Sequence, residues 1–302
     1  MPFKDLLLAL TVVLVWGLNF VVIKVALYEL PPMLLAGLRF SLVAFPAVFL
    51  VKPPKTPFKY LLMYGMAICF GQFLLLFLAI HLGMPAGLAS LVLQMQAFFT
   101  IMLGVWLLSE KLRWNHIVGI ITASLGMALL ADASLGTANS SGIPLIAIVL
   151  TLGAALSWAL GNISNKLIMR DANVSMLSLV IWSALVPIVP FFLCSFIFEA
   201  PQINAIQLTK ISSKTIFALI YLAFIATIIG YAIWGRLLSQ YETWRIAPLS
   251  LLVPVVGILS AALLLGETLS AGQLLGALII IFGLLLNIFG GYIKGVRRLS
   301  PK

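Results

Sequence analysis

Ten apolar runs, most of them about 20 residues long, follow one another along this 302-residue chain with only short polar breaks. A helix of that length crosses about 30 Å of hydrocarbon, and lipid requires each spanning segment to satisfy its own backbone hydrogen bonds. The runs do not alternate polar and apolar residues, as the strands of a membrane barrel do. The chain is 63% hydrophobic and 9% charged, whereas soluble proteins carry about 25% charged residues. The sequence therefore predicts an all-α integral membrane protein.

The predicted spans form two groups of five. A polar linker, residues 132–142, separates the groups and is rich in Ser, Gly and Asn. We therefore expect a first repeat at 5–131, a second repeat at 143–291, and a basic tail at 292–302. The predicted spans are Leu6–Tyr28, Pro32–Val51, Tyr60–Leu82, Pro85–Leu108, Trp114–Ala131, Ile143–Met169, Ser175–Phe198, Lys214–Gln240, Thr243–Gly266 and Ala271–Gly291.

The two groups of spans are degenerate copies of each other. A shift of 157 positions places Glu110 on Glu267 and Gly126 on Gly283, and both copies read Glu-x-Leu, six residues, Gly, six residues, Gly. Because five is an odd number, the second copy must cross the membrane in the opposite sense to the first. Inverted repeats of this kind recur in transporters, with the substrate site near the midplane between them. We expect ten transmembrane helices arranged as two inverted five-helix repeats.

Lysine and arginine in the short loops are concentrated on one predicted face. Such residues mark the cytoplasmic side of a membrane protein, so both termini are predicted to be cytoplasmic. The net charge of +10 is spread among these loops rather than gathered in one patch, which argues against a nucleic-acid partner. The cytoplasmic set is Lys4, Lys52, Lys55, Lys59, Lys111, Arg113, Arg170, Arg236, Lys294, Arg297, Arg298 and Lys302, against Lys210 and Lys214 on the opposite face.

The first span of each half carries a stripe of polar and aromatic residues. Trp16 and Asn19 lie on one helical face of the first span, and Trp158 and Asn162 lie on one face of the sixth, with the two tryptophans 142 positions apart. Polar side chains in a membrane face protein or water rather than lipid. We therefore expect these two helices to face each other across the centre of the molecule.

The chain resembles the drug/metabolite transporter superfamily and, within it, the EamA-type exporters. The resemblance covers nearly the whole chain and is carried by Val13–Val25, Met84–Gly104, Ser178–Leu185 and Tyr241–Gly257. These longer segments are similar to the exporters of O-acetylserine and cysteine. The resemblance implies two inverted five-helix domains, a central cavity, and export of small amino-acid metabolites across the bacterial inner membrane. Other members of the superfamily carry aromatic amino acids or drugs, which leaves that alternative open.

Neither an enzyme nor an ATP-driven pump is expected from the motifs. The chain has no glycine-rich phosphate-binding loop, and its two cysteines, Cys69 and Cys194, lie in apolar runs without metal-ligand spacing. We expect no metal, no cofactor and no catalytic residues. A secondary or facilitative carrier remains, driven by proton exchange, by the substrate gradient or by both. A membrane enzyme or receptor subunit would need catalytic residues at one interface or a soluble domain, and the sequence has neither.

Arg39 is the charged residue of greatest interest. It lies seven residues beyond Pro32, which is about 10 Å into the second span at 1.5 Å per residue. All eight acidic residues lie at or beyond span ends, so no intramembrane carboxylate is available to hold a lipophilic cation. A guanidinium can bind a carboxylate through two hydrogen bonds, which favours a zwitterionic substrate. The alternative is that Arg39 extends to the interface and binds nothing.

Amide and aromatic side chains supply the other candidates. Gln94 and Gln96 are about 200° apart on a helix, so only one of them can face a cavity, and we favour Gln94. Aromatic stripes pack helices together more often than they bind ligands, yet the aromatic residues favour the alternative of an exporter for aromatic amino acids or drugs. The candidate substrate-binding residues are Trp16, Asn19, Arg39, Gln72, Gln94, Trp158, Asn162, Tyr231 and Trp234.

Proline and glycine residues predict moving and packing parts. Pro248 and Pro254 interrupt the ninth span, where each removes a backbone hydrogen bond. We therefore expect the ninth helix to be a bent gate and the fourth to be straighter. Gly272 and Gly276 form a small-xxx-small pair that lets helices approach closely, either within the chain or in a homodimer. Lys166 is expected to extend from its helix end to the membrane surface.

Overall fold

The computed structural model describes residues 1–84, 86–135, 144–170, 174–200, 202, 211–265 and 270–297, and the regular structure in these ranges is entirely helical. Nine of the described helices are long and apolar enough to cross a membrane, and one shorter apolar helix follows them. The predicted all-α membrane fold is confirmed. The helices are α1 Phe3–Leu27, α2 Pro32–Leu50, α3 Phe58–His81, α4 Ala86–Leu93 with Met95–Leu108, α5 Trp114–Leu135, α6 Leu145–Ile168, α7 Met176–Phe198, α8 Ser213–Gln240, α9 Thr243–Ile246 with Ala247–Leu251 and Leu252–Leu265, and α10 Ala271–Arg297.

Two helix ends lie well beyond the expected boundaries, whereas the other ends differ by at most a few residues. The helix α5 continues to Leu135, so it includes the first residues of the predicted linker, and residues 136–143 lie outside the described ranges. The helix α10 continues to Arg297 and includes half of the predicted basic tail. Gly295 lies in this last part of α10, and a glycine weakens a helix by about 1 kcal/mol without ending it. The division into two repeats joined at this linker remains an expectation.

Helices α5 and α10 show how the two halves are related. A Cβ added to Gly126 would lie 2.8 Å from the Gly276 carbonyl oxygen, and one added to Gly119 would lie 2.6 Å from the Gly283 carbonyl oxygen. The repeat offset equates Gly119 with Gly276 and Gly126 with Gly283. The two contacts are therefore exchanged by a two-fold relation, and the helices run antiparallel. Glycine permits this approach because it has no side chain between the backbones.

The remaining helices pair in the same symmetrical way. The first helix of each half packs on the third and fourth helices of the other half: α1 contacts α8 and α9, and α6 contacts α3 and α4. Helix α2 packs on α7. Large apolar side chains such as Phe49, Trp106 and Leu263 are exposed on the outside of the bundle, where a membrane would cover them. The centre of the bundle is therefore built mainly by α1, α3, α6 and α8.

Four of the helices around the centre are irregular. A wider, π-helical turn occupies Gly65–Gly71 in α3 and Tyr221–Ile229 in α8, the third helix of each half. Helix α9 contains the tight 3₁₀ segment Ala247–Leu251. Helix α4 is interrupted at Gln94, which the repeat offset equates with Leu251. The fourth helix is thus also interrupted, by i to i+3 backbone bonds at Gln94, but only at one residue, and the expectation that it is straighter than the ninth stays a prediction.

Candidate functional site

Arg39 is buried between helices rather than extended to the membrane surface. Its side chain is 4% exposed, and Nε donates a hydrogen bond of 2.7 Å to Thr227 Oγ1 on α8. The guanidinium carbon lies 4.9 Å from the ring centroid of Phe73 on α3. Within the described ranges no carboxylate forms an ion pair with it, and this is the one hydrogen bond its side chain donates there. The structure thus holds a cation in the centre of the bundle without an anionic partner from the described chain.

The π-helical turn of α8 builds the seat of this arginine. Thr227 Oγ1 donates to the carbonyl oxygen of Leu222, five residues earlier, at 2.7 Å. Since the hydroxyl hydrogen is used there, the lone pairs of Thr227 point to the Arg39 Nε–H. Trp16 Nε1 donates to the neighbouring carbonyl of Ala226 at 3.0 Å. Side-chain donors therefore bond to two carbonyl oxygens of this wide turn, and such turns are frequent at functional sites.

Four of the predicted residues meet in an aromatic cluster beside this seat. The Trp16 ring lies 5.5 Å from Trp158, 5.2 Å from Tyr231 and 5.2 Å from Trp234, measured between centroids. The first helices of the two halves thus face each other, as their stripes predict. The indole N–H groups of Trp158 and Trp234 are buried and have no partner in the described chain. The cluster therefore presents two free hydrogen-bond donors at the centre of the bundle.

The predicted amides divide into free and engaged groups. Gln72 Oε1, Gln94 Oε1 and Asn19 Oδ1 are buried and accept no hydrogen bond from the described residues. Asn162, by contrast, donates to Gln96 Oε1 and to Thr100 Oγ1, at 3.1 Å each. Its amide nitrogen therefore serves the contact between α6 and α4.

Gln96 is a buried residue that the candidate set omits. Its Nε2 donates to Ser250 Oγ at 2.7 Å and so joins α4 to the 3₁₀ segment of α9. The 200° separation from Gln94 is the sequence signal that one of the pair contacts a neighbouring helix. The 3₁₀ segment also contains Pro248, while Pro254 lies in the first turn of the helix that follows. Their gating role remains a prediction.

A cavity of about 440 Å³ opens between the ends of α1, α2, α3 and α7. This is the face opposite to the one where α1 begins and α10 ends, which we call the terminal face. Phe77 lines this cavity and also a smaller space of about 10 Å³ beside Arg39. Phe77 therefore borders both the cavity and the separate small space beside the guanidinium.

Two acids at the rim of this cavity serve as helix caps. Glu199 accepts hydrogen bonds from the backbone N–H groups of Met33 and Leu34, at 2.7 and 3.0 Å. Glu29 accepts one from the Ser212 N–H at 2.9 Å, and this bond lowers the pKa of Glu29 below its ordinary value. Helix N-termini attract carboxylates. Both carboxylates are therefore engaged by backbone donors at the starts of α2 and α8.

At the terminal face lies an ion pair that we call the latch, Glu110 with Lys166. Lys166 Nζ donates to Glu110 Oε1 and, at 2.7 Å, to the Tyr241 carbonyl oxygen. Glu110 Oε2 accepts from the N–H and the hydroxyl of Thr243, each at 2.7 Å. The expectation that Lys166 extends to the surface is wrong, because a carboxylate lies within reach of its stem. The latch joins the ends of α4, α6 and α8 to the start of α9.

No group of three or more His, Cys, Asp or Glu side chains is placed to hold a metal ion in the residues that the structure describes. Both cysteines are free thiols. The site therefore offers one cation, several amide oxygens and indole donors. This chemistry is suited to binding a small polar molecule.

The chain matches known proteins along nearly its full length. The sequence pattern of the EamA-like transporter family matches residues 4–131 and 145–289. A protein of Salmonella typhimurium named as a probable amino-acid metabolite efflux pump is 57% identical, over 98% of this chain and 99% of its own. An Escherichia coli K12 protein with the same name is also 57% identical, over 95% of both chains. A solved crystal structure that is 20% identical superposes with a TM-score of 0.81 over 100% of both chains, which shows the same fold.

Proposed function

Because the chain belongs to the EamA-like transporter family, we propose that it exports small zwitterionic amino-acid metabolites, of the O-acetylserine and cysteine type, across the bacterial inner membrane. Two relatives that are 57% identical are named as probable amino-acid metabolite efflux pumps. The aligned regions, 98% and 95% of this chain, include the helices that build the centre of the bundle. The name and the site chemistry together support the proposed substrate class.

The observation that carries the proposal is the buried guanidinium of Arg39 without a carboxylate partner. Removing a charge from water costs several kcal/mol unless a counter-charge and hydrogen bonds compensate it. Here one nitrogen is satisfied by Thr227 and one face is covered by the Phe73 ring. A substrate carboxylate supplies the missing charge through two parallel hydrogen bonds. The small space beside Arg39 borders Phe77, which also lines the larger cavity.

The transport cycle that we propose alternates between two faces. With the terminal face on the cytoplasmic side, as the lysine and arginine residues predict, the latch would hold the cytoplasmic side closed and the cavity would open to the outside. Opening the latch would admit substrate from the cytoplasm to Arg39. Closing it again would leave the cavity at Phe77 as the way out. Such rocking about a midplane site is typical of inverted-repeat carriers.

A second candidate is an exporter of aromatic amino acids or apolar drugs. The cluster of Trp16, Trp158, Tyr231 and Trp234 favours it, since aromatic rings bind aromatic ligands and cations through their faces. In the structure, however, the Trp16 ring contacts each of the other three. The cluster thus serves packing first, and the free indole N–H groups suit a carboxylate as well.

The direct test is uptake of labelled cysteine into liposomes that contain the purified protein. We expect uptake above that of empty liposomes, and competition by O-acetylserine but not by tryptophan or a cationic dye. Repeating the assay with and without a pH gradient would show whether protons are exchanged. Uptake equal to that of empty liposomes would reject the cysteine proposal, and competition by tryptophan alone would favour the aromatic alternative.

A further inference from the structure

We infer that Gln72 recognises the substrate's α-ammonium group and thereby makes the site selective for zwitterions over plain carboxylates. This inference rests on the proposed function and assigns a second polar contact in the same site. It concerns specificity, because Arg39 alone would accept any small carboxylate.

Gln72 is a buried amide of α3 that neighbours, in the sequence, a residue packed against the guanidinium. Its side chain is 2% exposed, and Gln72 directly precedes Phe73, whose ring lies under Arg39. The Gln72 amide also lies near the hydroxyl of Tyr231, and Tyr231 is close enough to Arg39 for the two side chains to interact electrostatically. Tyr231 on α8 thus lies near both Gln72 on α3 and Arg39 on α2.

The unpartnered atom of Gln72 is an acceptor. Oε1 is buried and accepts no hydrogen bond from the described chain. A buried amide oxygen without a donor is costly in an apolar medium, and an ammonium group brings three N–H donors. An amino acid that gives its carboxylate to Arg39 carries its ammonium two bonds away. Its binding would therefore satisfy both unpaired groups at once.

An amide suits this role better than an acid would. A carboxylate at position 72 would attract the Arg39 guanidinium at close range, and the two charges would neutralise each other in the empty site. The amide oxygen accepts a hydrogen bond without competing for Arg39. Gln94 Oε1 and Asn19 Oδ1 also accept no hydrogen bond from the described chain. Among the described side chains, the rings under the guanidinium are those of Phe40 and Phe73, and Gln72 is the one of the three amides that adjoins either ring in the sequence. Gln72 is therefore the acceptor that we assign.

The test compares three competitors of labelled cysteine uptake in proteoliposomes: unlabelled cysteine, 3-mercaptopropionate, which lacks the ammonium, and cysteamine, which lacks the carboxylate. The wild-type protein should prefer cysteine to each analogue by about tenfold or more, as expected for one lost hydrogen bond to a charged group. Gln72→Met keeps the length of the side chain and removes the acceptor. It should lower the preference for cysteine over 3-mercaptopropionate by about tenfold. Gln240→Met, at the exposed end of α8, should keep the wild-type preference.

Gln72→Glu is the second variant, and it keeps the inference testable if the methionine variant does not fold. The new carboxylate should pair with Arg39, weaken cysteine binding and shift the preference toward cysteamine. The inference would be overturned if Gln72→Met folds and keeps the wild-type order of competitors. If Gln72→Met does not fold, the same result with Gln72→Glu would overturn it. Either result would leave cysteine export in place. Wild-type protein that takes up no cysteine would instead overturn the proposed function, and this inference with it.

Discussion

Replacing Lys166 by methionine should open the terminal face. Lys166 Nζ contacts Glu110 and the Tyr241 carbonyl oxygen, and its side chain is 14% exposed while that of Glu110 is 6% exposed. Methionine has a similar length and cannot donate either bond. The variant therefore leaves the Glu110 carboxylate buried in the closed state without its cation, whereas opening would return it to water.

The size of the effect follows from what Glu110 retains. Breaking a fully buried ion pair costs about 3–5 kcal/mol. Glu110 keeps two hydrogen bonds from Thr243, and the pair is partly exposed, so we expect about 1–3 kcal/mol against the closed state. That corresponds to a shift of about 5- to 150-fold toward opening. Replacing both partners, in Glu110→Gln with Lys166→Met, leaves no unpaired charge and should shift the equilibrium less than Lys166→Met alone.

Alkylation of a single cysteine at Thr100 measures this opening. Thr100 is fully buried and lies on α4 below the latch, and Cys69 and Cys194 would be replaced by serine in the same chain. The alkylation rate of Thr100→Cys should rise about 5- to 150-fold with Lys166→Met, and less in the double variant with Glu110→Gln. Equal rates in all three proteins would refute the latch. A double variant more open than the single one would refute the argument from the unpaired charge.

Three further predictions concern the arginine seat, the helix contact and a cap. Thr227→Val should raise the half-saturating cysteine concentration about tenfold, because Arg39 loses its hydrogen-bond acceptor. Thr227→Ser keeps the hydroxyl and should transport like the wild type. Equal kinetics for the two variants would contradict the claim that Thr227 positions Arg39. Gly126→Ala should lower the stability of the protein in detergent by about 1–3 kcal/mol, because the new Cβ would lie 2.7 Å from the backbone nitrogen of Ile280. Gly153→Ala is the control and should leave the stability unchanged, because its Cβ would lie 3.4 Å from the flexible side chain of Leu75. Glu29→Gln should lower the melting temperature at neutral pH, because the glutamine loses the charged cap of the α8 start. The pKa of Glu29 in the folded protein is depressed below 4.5. The stabilisation by the carboxylate is therefore present above pH 4.5 and disappears as pH falls through the folded pKa. A difference that persists in strong acid would argue against the cap.

The spans and their inverted relation could be predicted because both depend on local sequence. Apolar length alone defines a membrane helix, and the glycines of the repeat mark where α5 and α10 touch. The facing of Trp16 and Trp158 follows from helical spacing within each span. These features can be predicted without knowing how helices that are distant in the sequence are rotated against one another.

The polar contacts of the site could not be predicted in the same way. The hydrogen bond from Arg39 joins residues 188 positions apart, and the one from Gln96 joins residues 154 apart. Each depends on which face of one helix meets which face of another. The π-helical turn that orients Thr227 has no sequence signal comparable to a proline. For Lys166, a flexible stem can reach water or a carboxylate, and only the position of Glu110 decides between them.

The central claim is that the Arg39 guanidinium binds the substrate carboxylate, and exchange of labelled cysteine across proteoliposomes tests it most directly. Arg39→Ala should reduce exchange about 100-fold, as expected for the loss of two charge-assisted hydrogen bonds. Arg245→Ala, which removes a half-exposed arginine paired with Glu242 on the surface, should leave exchange unchanged. Exchange at the wild-type rate by a folded Arg39→Ala protein would contradict the account.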